Sequence, residues 1–119
     1  MNATDLLLRM EQTMNAHDLD GFIACFTEDF VSDVPLQPKR SFVGRETARE
    51  NWRRLFAHVP DLTGRVLQSA ADGDQVWGEW EISGNTQDGK QFLTRGVTIL
   101  RLRGEQFASV RFYLHDVQD

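Results

Sequence analysis

From Asp61 onward the chain alternates apolar and polar residues with period two, and three short turn sequences interrupt the alternation. Successive residues of a strand point to opposite faces, so this pattern commits the second half to strands with one buried face. The predicted strands are Leu62 to Ala70, Gln75 to Ser83, Phe92 to Leu102 and Phe107 to Val117. "ADGD" (71–74), "QDGK" (87–90) and "RG" (103–104) supply the turns between them, which makes a meander of antiparallel strands.

The first half carries helical spacing instead. Leu6, Leu7, Met10 and Met14 fall on one face of "TDLLLRMEQTMNAHD", with Thr4 or Asn2 as its cap. Asp18 reads as the N-cap of a second helix, "LDGFIACFTEDF", with Leu19, Phe22, Ile23 and Phe26 as its buried stripe. Phe30 to Val34 reads as a short strand closed by Pro35, and Gln37 to Phe42 as a polar loop. A third helix, "RETARENWRRLFAHV", follows Gly44 and turns Ala48, Trp52, Leu55 and Phe56 to the core, with Pro60 after its end. Three helices followed by long antiparallel strands predict an α+β fold, three N-terminal helices packed on one face of a curved, mostly antiparallel sheet.

The 119 residues suit one domain, 1–119, with a proper core. The 18 acidic against 13 basic side chains speak against nucleic acid as a partner. No apolar stretch reaches the ~20 residues needed to cross a membrane, so no membrane partner is expected. "MNATDLLLRMEQ" lacks the basic start and small-residue cleavage site of a signal peptide, and a cytoplasmic protein is expected. The single Cys25 excludes an internal disulfide and a multi-cysteine zinc site. His17, His58 and His115 are too scattered for a metal site, and no cofactor is expected. "GNTQDGK" (84–90) lacks the spacing of a phosphate loop and reads as a hairpin.

Alternation assigns the sheet faces. Val76, Trp80, Ile82, Thr98, Leu100, Phe112 and Leu114 point toward the helices. The outer face then holds Trp77, Val97, Ile99 and Tyr113 among Glu79, Glu81, Arg95, Arg101 and Arg111. An apolar centre ringed by mixed charges is what a partner surface looks like, so a homodimer through Trp77, Arg95, Val97, Ile99, Arg111 and Tyr113 is expected; the alternative is a solvated face with cross-strand ion pairs. Inside, an aromatic-rich set poor in charge suits a small hydrophobic molecule, or is filled by its own side chains. Ser32 and Thr98 are candidate pocket hydroxyls. Asp33 is either a displaced base or an outward carboxylate, and a bulge before Pro35 would re-aim it inward. Asp116, on the inward face beyond Leu114, is a candidate at the pocket mouth. Cys25 reads as a buried structural thiol, and His58 as a partner of its helix C-terminus.

The stretches "NAHDLDGFIACFTEDFVSDVP", "FVGRETARENWRRLF", "DGDQVWGEWEISG" and "RGVTILRLRGEQFASVRFYL" resemble the nuclear transport factor 2-like superfamily, in particular its SnoaL-like and ketosteroid isomerase-like small bacterial proteins. The resemblance covers nearly the whole chain. It implies a cone-shaped, cystatin-like fold with a pocket between sheet and helices, and an aromatic beside the ligand at Trp52. It implies no single activity, because this fold hosts many. Position by position, the tyrosine of ketosteroid isomerases falls on Met10, their base on Val34, with Asp33 one residue early, and their sheet aspartate on Thr98. The inward aspartate of SnoaL-like cyclases falls on Phe112. With these groups replaced, the sequence supports small-molecule binding by Met10, Ser32, Val34, Trp52, Trp80, Phe112 and Leu114. Isomerase, cyclase or hydratase chemistry would rest on Ser32, Asp33, Thr98 or Asp116. The alternative is a non-catalytic binding or dimerisation domain.

Overall fold

The computed structural model describes residues 1–118. Helix α1 (Ala3–Asn15) is capped by the Asn2 side chain, which accepts from the Asp5 amide at 2.8 Å. Its buried face is the predicted one: Leu6, Leu7, Met10 and Met14. Helix α2 (Leu19–Ile23) starts on Asp18, whose carboxylate accepts from Gly21 N at 3.0 Å.

The helical spacing predicts α2 through to Phe30, and here the structure differs. Strand β1 spans Phe26–Asp33. Its pairing with the last strand slips between Phe26 and Val31. Phe26 and Phe30, four residues apart, are both buried, while Glu28 between them is exposed where the register slips. Residues four apart share a face in a strand as well as in a helix, so the spacing of Phe22, Phe26 and Phe30 does not separate the two.

Gln37 to Phe42 is less irregular than expected. Pro38–Arg40 forms a 3-10 turn, and strand β2 (Phe42–Val43) pairs antiparallel with β1. Helix α3 (Arg45–His58) follows Gly44 and buries Ala48. The helices are therefore not three consecutive N-terminal ones. Two are long, α2 is a short one, and α3 enters only after two strands.

Strands β3 (Thr63–Asp72), β4 (Gln75–Asn85), β5 (Gln91–Arg103) and β6 (Gln106–Asp116) form the predicted meander. The six strands lie in the order β2-β1-β6-β5-β4-β3. All neighbours are antiparallel except β1 and β6, which run parallel. The sheet is mixed because β1, reached from the helical half, adds beside the final strand.

Trp80, Phe22, Phe107, Leu6 and Leu7 are the largest fully buried side chains of the core between the helices and the sheet. On the other face of the sheet Trp77 is 48% exposed. It lies in a cross-strand row with Ile99 and Arg111, beside a row of Glu79, Val97 and Tyr113. Arg95 pairs with Glu81 at 2.9 Å, and Arg111 lies over the Tyr113 ring at 5.9 Å. Among the described residues no helix is long and apolar enough to cross a membrane.

Candidate functional site

A cavity of about 620 Å³ lies between the sheet and the helices. Its sheet wall follows from strand register. Ser32 of β1 pairs with Val110 of β6, which pairs with Leu100 of β5. One row further along, Phe112 pairs with Thr98, and beyond that Leu114 pairs with Gly96, which pairs with Trp80. The helical wall comes from Met10 and Met14 of α1, Phe22 of α2, and Ala48, Trp52 and Leu55 of α3. The α3 spacing of four, three and three residues brings Ala48, Trp52, Leu55 and His58 to one side of that helix. Trp52 is held by Phe22 at 4.5 Å and Phe56 at 5.9 Å between ring centroids. Phe56, expected to face the core, is half-buried and stacks on His17 at 5.1 Å.

Every ligand-lining residue inferred from sequence is in this wall: Met10, Ser32, Val34, Trp52, Trp80, Phe112 and Leu114. Thr98 is there too, buried, with its Oγ1 accepting from the Trp80 indole Nε1 at 3.0 Å. Since the indole nitrogen only donates, the Thr98 hydroxyl keeps its own proton for another acceptor.

The two carboxylates considered as bases are not in the wall. Asp33 points to the opposite face of β1, is exposed, and lies 3.8 Å from Arg111, its partner across the parallel ladder. The reason is alternation: Phe30, Ser32 and Val34 are buried while Val31 and Asp33 are exposed. The strand irregularity sits upstream of this segment rather than before Pro35, so it does not re-aim Asp33. Asp116 pairs in register with Thr94 at the end of β6 and is exposed outside the cavity.

The cavity also holds residues the sequence reading did not bring there. Arg40, Asn51, Arg54 and His58 line its mouth. His58, expected to serve its helix C-terminus, lies in the last turn of α3 and also lines the cavity. His58 was findable by extending the α3 face one step past Leu55, and Asn51 by widening it, three residues after Ala48 and four before Leu55. Arg40 had no such signal, because the 3-10 turn that carries it has no periodicity.

Elsewhere, titratable groups serve structure. Burial pushes the Cys25 thiol up to about 11, and its Sγ contacts Gly21 O at 3.6 Å, so it is not a thiolate nucleophile. Asp29 is held down at about 2, first by its hydrogen bond with Arg103 and then by Thr27. Among the described residues no three His, Cys, Asp or Glu side chains gather as a metal-holding group.

A mixed sheet covered by helices, with an apolar cavity between the layers, makes this an α+β domain. The model of the SnoaL-like domain matches residues 7–110, and the chain belongs to that family. No curated protein matches the chain. Among solved structures it resembles a cystatin-fold protein from Novosphingobium aromaticivorans, with 21% identity, TM-score 0.78, and coverage of 95% of this chain and 98% of the other. It also resembles a protein of ketosteroid isomerase-like fold from Catenulispora acidiphila, with 18% identity, TM-score 0.79 and coverage of 95% and 87%. A third is a protein assigned as a SnoaL-like polyketide cyclase from Jannaschia sp. CCS1, with 21% identity, TM-score 0.79 and coverage of 93% and 83%. At these identities the likeness is one of fold.

Proposed function

We propose that this SnoaL-like domain binds a small hydrophobic molecule in its cavity. The observation that carries the reading is the wall itself: about 620 Å³ lined mostly by aromatic and aliphatic side chains, with no carboxylate among the described residues that line it. Cavities of this size and character are the usual form of small-molecule sites. Proton abstraction of the ketosteroid isomerase kind needs a carboxylate within reach of the substrate carbon, and the resemblance puts that base at Val34, an apolar residue of the wall. Binding to the native state raises stability, by about 2.7 kcal/mol at a hundredfold excess over Kd. A thermal-shift panel of steroids, polyketides and fatty acids is therefore expected to raise Tm for at least one class. A panel with no shift would argue that the cavity is closed to ligands.

A second reading, isomerase, cyclase or hydratase chemistry, is favoured by one detail. Thr98 stands where the resemblance puts the enolate-stabilising aspartate, and its hydroxyl proton is free to donate. Under that reading Ser32 and Thr98 position the substrate, and the site works without a wall carboxylate.

The outer sheet face supports a homodimer. Its apolar centre (Trp77, Val97, Ile99 and Tyr113) is flanked by Glu79, Glu81, Arg95 and Arg111, so one copy can match acid to base on another. Val97→Asp, at the middle of this face, is expected to yield monomers in sedimentation. A variant that still sediments as a dimer would exclude this interface.

A further inference from the structure

We infer that the cavity takes an amphipathic monocarboxylate, with its apolar body inward and its carboxylate at the mouth against Arg40 and Arg54. The inference rests on the ligand-binding reading above and adds the chemical class of the ligand. The cavity wall is graded. Of its lining residues only Arg40, Asn51, Arg54 and His58 are exposed, and none of these is acidic. This happens in a chain with 18 acidic and 13 basic side chains, where an average mouth would carry acid.

The two guanidinium groups are not used up by the protein. The Arg40 side chain donates only to the neutral Gln37 amide oxygen, at 2.9 Å, among the described residues. Arg54 reaches Glu50 Oε1 at 3.1 Å, but Arg53 already grips both Glu50 oxygens at 2.7 and 2.9 Å. One carboxylate thus answers two guanidiniums, and a positive charge is left over beside the opening. Deeper in, the wall offers hydroxyls and rings but no ion, so a charged end buried there would lose its hydration uncompensated. A carboxylate left at the rim keeps water and gains planar, forked donors that suit its two oxygens. An ammonium end would meet like charge.

The test uses the whole chain and three ligands of equal length: decanoate, 1-decanol and decylammonium. Trp52 and Trp80 line the cavity, so tryptophan fluorescence reports entry. Decanoate is expected to bind about tenfold tighter than decanol, as a charge-assisted hydrogen bond at a partly exposed site gives, with decylammonium weakest. The double variant Arg40→Gln, Arg54→Gln is expected to erase that advantage, so that decanoate and decanol bind the variant with equal Kd. Decanol binding as tightly as decanoate would overturn the carboxylate inference while leaving the cavity a binding site. A preference that survives the double variant would overturn the role given to the arginines. Failure of all three ligands to bind would overturn both this inference and the reading it rests on.

Discussion

Gly96→Ala is expected to lower the free energy of unfolding by about 3 kcal/mol. Gly96 has a φ of +152°, and a Cβ there would sit 2.0 Å from the Tyr113 carbonyl oxygen and 2.8 Å from the Leu114 Cα. Both are backbone atoms of β6, so no side-chain rotation relieves the overlap. β5 would have to part from β6 in the middle of the sheet wall, next to the Trp80 pairing. For a domain of this size the loss corresponds to a fall in Tm of roughly 10 °C. Gly73→Ala is the control. It also has a positive φ, +61°, but nothing lies within 4 Å of its Cβ position, so only a backbone term of about 1 kcal/mol remains. Urea denaturation of the two variants separates the terms. Equal losses would mean that the sheet relaxes around residue 96.

Trp80→Ala is expected to cost about 4 kcal/mol, the range for deleting a large buried aromatic. Trp80 is 2% exposed and forms part of the cavity wall. Its indole also spends its one donor on Thr98. Thr98→Val keeps the volume and removes the acceptor, so it strands a buried N–H and is expected to cost about 2 kcal/mol. Denaturation midpoints of the two variants test the assignment. If Thr98→Val proves neutral, the indole has another acceptor and the Thr98 hydroxyl is not held in place by it.

The same two residues show what a sequence can reveal. Trp80 and Thr98 were placed inward by period-two alternation alone, and the register bears this out. The long strands and α3 came within a few residues for the same reason, since a half-buried strand or helix advertises its face. Val34 against Asp33 was also decidable, because the alternation from Phe30 onward is unbroken. What failed was α2 and β1. Phe22, Phe26 and Phe30 are evenly spaced by four residues, and nothing local separates a helix from a bulged strand at that spacing. The mouth of the site was the other blind spot. Arg40 is brought to it by a 3-10 turn, and Arg54 is an exposed residue of α3 outside its apolar stripe. Their shared position is set by where α3 crosses the sheet, a tertiary fact with no local pattern behind it.

The parallel pairing of β1 with β6 has a consequence for how the chain reaches its native state. Phe26 sits beside Phe107, and Asp33 beside Arg111, contacts that span most of the chain length. Such non-local contacts carry a large loop-closure entropy and form slowly. The meander from β3 to β6 can zip from neighbouring turns, but β1 must wait for β6. Until it docks, Phe26, Phe30 and Val34 lack their sheet partners and the apolar wall stands open to solvent. During synthesis β6 leaves the ribosome after every other described strand, so there is an interval in which this wall is exposed while β6 is still to come. A chaperone that holds apolar surface would meet the protein at that stage, and a ligand that fits the cavity would favour the docked state over the waiting one.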